Sequence, residues 1–147
     1  MSAVSEIMSA KKIVALNADS NPTVLDATKR MLRSKVGSVV MVNKNNRPVG
    51  IVTERDVLRK VSTSRRMLKE VKAKEIMSHP VITVKPYDSV ETAAAVMAKM
   101  KIKRLVVVEQ DGSMEGVISL TDITKRLAKI LTDEQNRFGN LKALLGS

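Results

Sequence analysis

The heptapeptide Gly50-Ile-Val-Thr53-Glu-Arg-Asp56 returns 66 residues later as Gly116-Val-Ile-Ser119-Leu-Thr-Asp122. The same offset relates Ala27 to Ala93, Lys35 to Lys101 and Val42 to Val108. Upstream, Ile7-Met8-Ser9 recurs as Ile76-Met77-Ser78 at an offset of 69, so the first copy carries three extra residues near Ala10 to Ser20. A fixed internal period constrains a chain more than any single motif does, because whatever one copy folds into the other must as well. A unit of roughly 60 residues buries too little surface to be comfortably stable alone. Two copies packed face to face remove that difficulty. The boundaries read as repeat 1 over residues 1–61, a linker over 62–72, repeat 2 over 73–131 and a helical tail over 132–147.

Within the first copy, residues 1–10 read as a short lead-in helix or turn and Ile13 to Leu16 as a short strand. Asn21-Pro22 predicts a helix start, with Asn as cap and Pro at the first helical position. Val24, Ala27 and Met31 carry helical spacing to about Ser34, with Gly37 closing the helix. Ser38 to Val42 is a uniformly apolar strand, buried on both faces. Asn43 to Asn46 is a turn, Val49 to Val52 a returning strand, and a helix runs from Glu54 to about Val61. The second copy repeats the plan. Val81 to Val84 is the short strand, Asp88-Ser-Val-Glu91 a capping box, and Val90, Ala93, Val96, Met97 and Met100 an apolar helix face. Leu105 to Val108 and Met114 to Ile118 flank a hairpin turn at Asp111-Gly112. A helix over Thr121 to Leu131 closes the copy, and a further amphipathic segment carries Phe138, Leu141, Leu144 and Leu145. The expected fold is α+β: two β-α-β-β-α units with pseudo-two-fold symmetry, their open sheet faces packed against each other and clefts left between them.

Thr53 and Ser119 each stand where a strand hands over to a helix. A hydroxyl there caps the first turn, and the free N–H groups of that turn attract anions. Asp56 and Asp122 lie one turn on, where a carboxylate can accept two hydrogen bonds from a diol. The same Ser/Thr-x-x-Asp spacing is also that of an ordinary capping box, and the spacing alone does not choose between the two. Arg104 opens the second copy's apolar strand, a position suited to a bidentate phosphate contact. Its counterpart in the first copy is Ser38, which carries no charge, so the two copies differ.

The doubled Ile-Met-Ser opening, the Val-rich strands and the doubled Gly-x-x-Ser/Thr-x-x-Asp resemble the CBS domain, named after cystathionine β-synthase, over about Val4 to Leu131. The resemblance implies that Thr53 and Ser119 contact a phosphate and that Asp56 and Asp122 hold the ribose of an adenosine derivative. Lys103-Arg104-Leu105-Val106-Val107-Val108 resembles a run in the nucleotide-sensing subunit of AMP-activated protein kinase, where the arginine reaches phosphate. The adenine slot in this family comes from the short first strand of the opposite copy. By that resemblance Ile13, Val14 and Ala15 line the Asp122 site, and Pro80, Val81 and Ile82 the Asp56 site. AMP, ADP or ATP is implied as a regulatory ligand, with no catalytic cofactor and no catalysis. A homodimer and a regulated protein partner follow from the same resemblance, and the family also includes binders of S-adenosylmethionine.

Composition bounds the alternatives. With no cysteine, a thiolate metal site and a disulfide framework are excluded, and the single histidine, His79, makes no metal cluster. No Walker or dinucleotide glycine loop occurs. No long apolar run argues for a membrane span or secretion, so a cytoplasmic protein is expected. The net charge is +11, with cations concentrated between Arg55 and Lys74, which favours polyanionic partners. A nucleic acid on this basic surface is therefore one alternative to a nucleotide in a cleft, and a ligand-free structural or dimerisation module is another. Tyr87 and Phe138 are the only aromatics, which speaks against base stacking on a single strand.

Overall fold

A computed structural model of the chain describes residues 2–8 and 14–145. The order is α1 (Val4–Ile7), β1 (Ala15–Asn17), α2 (Val24–Ser34), β2 (Ser38–Val42), β3 (Pro48–Thr53), α3 (Glu54–Lys60), α4 (Ala73–Ile76), β4 (Thr83–Val84), α5 (Val90–Met100), β5 (Arg104–Val108), β6 (Met114–Ser119) and α6 (Leu120–Leu145). Two three-stranded sheets form, β1-β2-β3 and β4-β5-β6. In each, the first pair is parallel and the second antiparallel. The α+β duplication is therefore present as expected.

The central strands explain why every residue of these runs is apolar. Side chains alternate faces along a strand. Val39 and Met41 enter a core beneath α2 and α3, while Val40 and Val42 enter a second core that also holds Val106, Val108 and Met114. Leu105 and Val107 do for the second sheet what Val39 and Met41 do for the first. So β2 and β5 are covered by helices on one face and by the other sheet on the opposite face. The hairpins also meet directly, with Met114 N–H donating to Asn46 C=O and Asn46 Nδ2 donating to Met114 C=O, 2.8 and 3.2 Å.

The opening segments are exchanged between the copies. Val4 of α1 lies in the core of the second copy, and Ala73 and Ile76 of α4 lie in the core of the first. The glycine of each heptapeptide accommodates the other copy's opening methionine. A Cβ at Gly50 would sit 2.2 Å from Met77 Sδ, and one at Gly116 would sit 2.6 Å from Met8 Sδ. Ser78 then exchanges both backbone hydrogen bonds with Ile51 on the edge of β3, 2.9 and 3.1 Å.

Several expected boundaries move. Helix α2 is capped by Thr23, not Asn21: Thr23 Oγ1 accepts from Asp26 N–H (3.1 Å) and Asp26 Oδ2 accepts from Thr23 N–H (2.8 Å). Asn21 instead ends a short 3₁₀ turn with φ 54°. The left-handed residue that closes α2 is Lys35 (φ 56°), and Lys101 does the same for α5, so Gly37 has another role. Helix α5 is capped by Ser89, while Asp88 accepts from Lys85 N–H. The short first strands start later, at Ala15 and Thr83. Met100 is exposed, outside the apolar face of α5. Residues 62–72 are bound to the first copy through Val71, which is buried and accepts from Val24 N–H. The closing helix does not stop near Leu131 but runs unbroken to Leu145.

Candidate functional site

At the end of each sheet the antiparallel pair delivers two side chains to one rim. Ser38 stands opposite Thr53 in the first copy, and Arg104 opposite Ser119 in the second. Directly opposed residues on paired strands lie within contact of each other's side chains. The ladder then passes into the following helix, with Glu54 N–H donating to Gly37 C=O (3.1 Å) and Leu120 N–H to Lys103 C=O (2.8 Å). This fixes Lys103 and Arg104 beside the first turn of α6. A cleft of about 330 Å³ opens there, lined by Lys103, Arg104, Ser119, Leu120, Thr121, Thr124 and Lys125. Three cations, three hydroxyls and a helix start make a basic, donor-rich concavity, chemically suited to an anionic group.

The two carboxylates are in different states. Both close a capping box. Asp56 Oδ2 accepts from Thr53 N–H (2.9 Å) and Asp122 Oδ2 accepts from Ser119 N–H (2.9 Å), while Thr53 Oγ1 and Ser119 Oγ accept from the aspartate N–H in return. In the first copy Asp56 Oδ2 also accepts from the Thr53 hydroxyl (3.0 Å), and Oδ1 meets Lys60 Nζ at 3.3 Å. Lys60 Nζ simultaneously donates to Ile76 C=O at 2.8 Å. The Asp56 carboxylate is 12% exposed and committed on both oxygens. The residue matching Lys60 in the second copy is Arg126, which turns away to Ser2 Oγ and Glu6. Among the described residues no cation pairs with Asp122.

Arg104 reaches across the copies. Its Nη2 lies 2.7 Å from where a Cβ would stand on Gly37, with Glu54 Oε2 3.6 Å from the same point. Gly37 therefore serves to let the guanidinium lie on the backbone of the other copy. Among the described residues this guanidinium forms no ion pair.

Profile comparison decides the family: the CBS domain matches residues 4–63 and again 73–129. The chain belongs to the CBS domain family. A CBS domain protein from Pyrobaculum aerophilum, solved in complex with AMP, shares 32% identity at a TM-score of 0.74, over 87% of this chain and 99% of that one. The CBS domain pair of protein MJ0100, in complex with 5-methylthioadenosine and S-adenosyl-L-methionine, shares 25% identity at a TM-score of 0.73, over 86% and 99%. A protein of Methanopyrus kandleri is 35% identical over 119 residues, 79% of this chain but 61% of that protein, so the CBS pair spans less than two thirds of that relative's length.

Of the residues nominated from sequence, the CBS fold brings Arg104 and Ser119 into one cleft. Asp122 adjoins it through its bond to Ser119 but is not among the lining residues. Val14 is buried and its C=O accepts from Val40 N–H, while Ala15 and Val81 pack against the core between the sheets. Ile82 packs on the core of the second copy with its C=O accepting from Val106 N–H, and Pro80 is exposed. Ile13 lies outside the described residues. Lys103, Thr121, Thr124 and Lys125 were not singled out for the cleft from sequence. Thr121, Thr124 and Lys125 follow from placing α6 immediately after Ser119, since they are spaced i, i+3 and i+4 on that helix and so share one side of its first turns. The basic stretch is less free than its count suggests, because Arg66 pairs with Glu75 and Glu70 C=O and Lys60 with Asp56. No group able to hold a metal ion occurs among the described residues, and none of their helices is long and apolar enough to cross a membrane.

Proposed function

We propose that this CBS pair is a regulatory ligand-sensing module that takes an adenosine-type ligand bearing phosphate, of the AMP, ADP or ATP kind, in the cleft at Ser119. The observation that carries this reading is the direct opposition of Arg104 and Ser119 on paired strands, in a cleft that also holds Lys103 and Lys125. The complexes of two structural relatives with AMP and with S-adenosylmethionine-type ligands support the ligand class. Ser119 and Arg104 meet the phosphate, Asp122 Oδ1 takes the ribose, and an adenine reaches towards the apolar first strand, at Val14 and Ala15. The first cleft, built on Thr53, Asp56 and the segment Pro80, Val81 and Ile82, is the weaker one, because Lys60 already neutralises its carboxylate.

Because both sheets share one interface core, a ligand that prefers one packing of the copies shifts the population of packings, and a protein partner reads that shift. The assembled form is a homodimer in the cytoplasm, and the module performs no bond chemistry of its own. An ultraviolet spectrum of freshly purified protein tests the ligand class. With no tryptophan and one tyrosine, a retained adenine dominates near 260 nm. A discrete adenine nucleotide released by heat is the expected result. Polydisperse nucleic acid stripped off by salt would overturn this reading in favour of the basic surface.

A further inference from the structure

Helix α6 has 26 residues, about 39 Å at the usual rise, yet the CBS match ends at residue 129. The remainder, from Ile130 onward, projects with its large apolar side chains uncovered: Leu131 is 65%, Phe138 69% and Leu145 77% exposed. Leu127, Leu131, Phe138 and Leu145 fall at intervals of four, seven and seven. That is a heptad seam, the pattern of a helix that packs along a second helix. Ile130 and Leu144 widen the seam on one side and are exposed too.

We infer that this seam is an interaction surface for the same helix of a second copy of the chain, packed antiparallel. The charges select the copy and its direction. Glu134 occupies the seam between Leu131 and Phe138, and Arg137 flanks it. A parallel pair sets Glu134 against Glu134 in the middle of the contact, which is repulsive. An antiparallel pair sets Glu134 level with Phe138 and beside the partner's Arg137, twice over, and sets Leu127 level with Leu145. At the base of the seam lies a groove of about 430 Å³, lined by Val90, Leu127 and Ile130 with Glu6, Glu91 and Arg126 on its rim, where Arg126 pairs with Glu6 and leaves Glu91 unpaired among the described residues. The same antiparallel register brings the partner's Leu144 and Leu145 to this apolar floor and its Lys142 to the side of the rim that carries Glu91. Six exposed apolar side chains per helix, at about 100 Å² each, amount to about 1,200 Å² across two copies, the lower edge of a specific stable interface. The inference does not depend on which ligand the cleft takes.

Sedimentation analysis of the full chain tests it, beside the double variant Leu131→Asp/Phe138→Asp. Both side chains are exposed, so the fold should survive, and the circular dichroism of the variant checks this. The chain should be a dimer, and the variant should raise the dissociation constant about a hundredfold or more. A monomeric parent, or a folded variant that dimerises unchanged, overturns the proposal; the latter would leave a homodimer through some other face. Direction is read by crosslinking, since the chain has no cysteine of its own. Leu127→Cys and Leu145→Cys proteins should form a disulfide when mixed and not alone. Efficient self-crosslinking of either one overturns the antiparallel arrangement.

Discussion

Substituting Gly50 by alanine probes the exchange of opening segments between the two copies. Gly50 has ordinary strand dihedrals, the glycine with a positive φ being Gly112, so an alanine backbone is unstrained there. Space is the obstacle. The added methyl would stand 2.2 Å from Met77 Sδ, 2.8 Å from Cγ and 3.1 Å from Cβ. Rotating the methionine moves its outer atoms but not Cβ, so α4 and the Ser78–Ile51 bridge must shift as well. Overpacking of this kind costs about 1–3 kcal/mol. The stiffer unfolded chain offsets about 0.4–1 kcal/mol of that. A net loss of about 1–2 kcal/mol corresponds to a fall in Tm of about 3–8 °C for a chain of this size. Gly116→Ala should cost less, because there only the tip of Met8 is close, with Sδ at 2.6 Å and Cγ at 3.1 Å. Urea unfolding of Gly50→Ala, Met77→Ala and the double variant isolates the contact. Once Met77 is shortened, Gly50→Ala should become nearly neutral, giving a coupling of about 1–2 kcal/mol. Additivity within about 0.5 kcal/mol would refute the packing of Met77 on Gly50.

Further expectations concern charge and access. Gly37→Ala should leave Tm almost unchanged, because the atom it meets is the movable end of Arg104, yet weaken a phosphorylated ligand while sparing adenosine; equal losses for both ligands in a calorimetric titration would contradict the placement of Arg104. Lys60→Met should release Asp56 and raise the number of nucleotides bound per chain from one towards two, and an unchanged stoichiometry would show that Lys60 is not what closes the first cleft. The Glu115 carboxyl is held above its ordinary value of 4.5 by its hydrogen bond with Glu109, by burial and by that neighbour's like charge. For an acid raised in the fold, ionisation opposes folding, so stability is lost as pH climbs from the unfolded value through the folded one. Glu115→Gln should therefore melt higher than the parent at pH 7 and level with it near pH 3.5, and equal Tm at both would contradict the pairing.

The duplication was legible because its strands obey two rules at once. A run such as Val39 to Val42, apolar at every position, must be covered on both faces, and the period supplies the second sheet that covers it. The helix ends were misread where two caps compete. Thr23-x-x-Asp26 is the same reciprocal box as Thr53-x-x-Asp56, but Asn21-Pro22 lies just before it and drew the start two residues early. By its type Gly37 predicts a helix stop, whereas its role is set by Arg104, a residue 67 positions away. Non-local contacts of that kind also hide the exchange of α1 and α4, since nothing in Ile-Met-Ser names the glycine its methionine will meet. The Arg104–Ser119 cleft follows from strand register and was within reach. The commitment of Asp56 to Lys60 was also written in the i, i+4 spacing, but its second hydrogen bond to Ile76 C=O, from α4, was not. The end of the repeat suggests a boundary at Leu131, although no Gly or Pro interrupts the helix before Gly139.

In the proposed function, one cleft of this CBS pair recognises the phosphate and ribose of an adenosine ligand. Calorimetric titration of AMP and adenosine into the parent, Arg104→Ala and Asp122→Ala tests it most directly. AMP should bind the parent at one site per chain, Arg104→Ala should weaken AMP but not adenosine, and Asp122→Ala should weaken both by about 1.5–3 kcal/mol. Parent-like binding in both variants, or no heat with any adenine nucleotide at millimolar concentration, would contradict it.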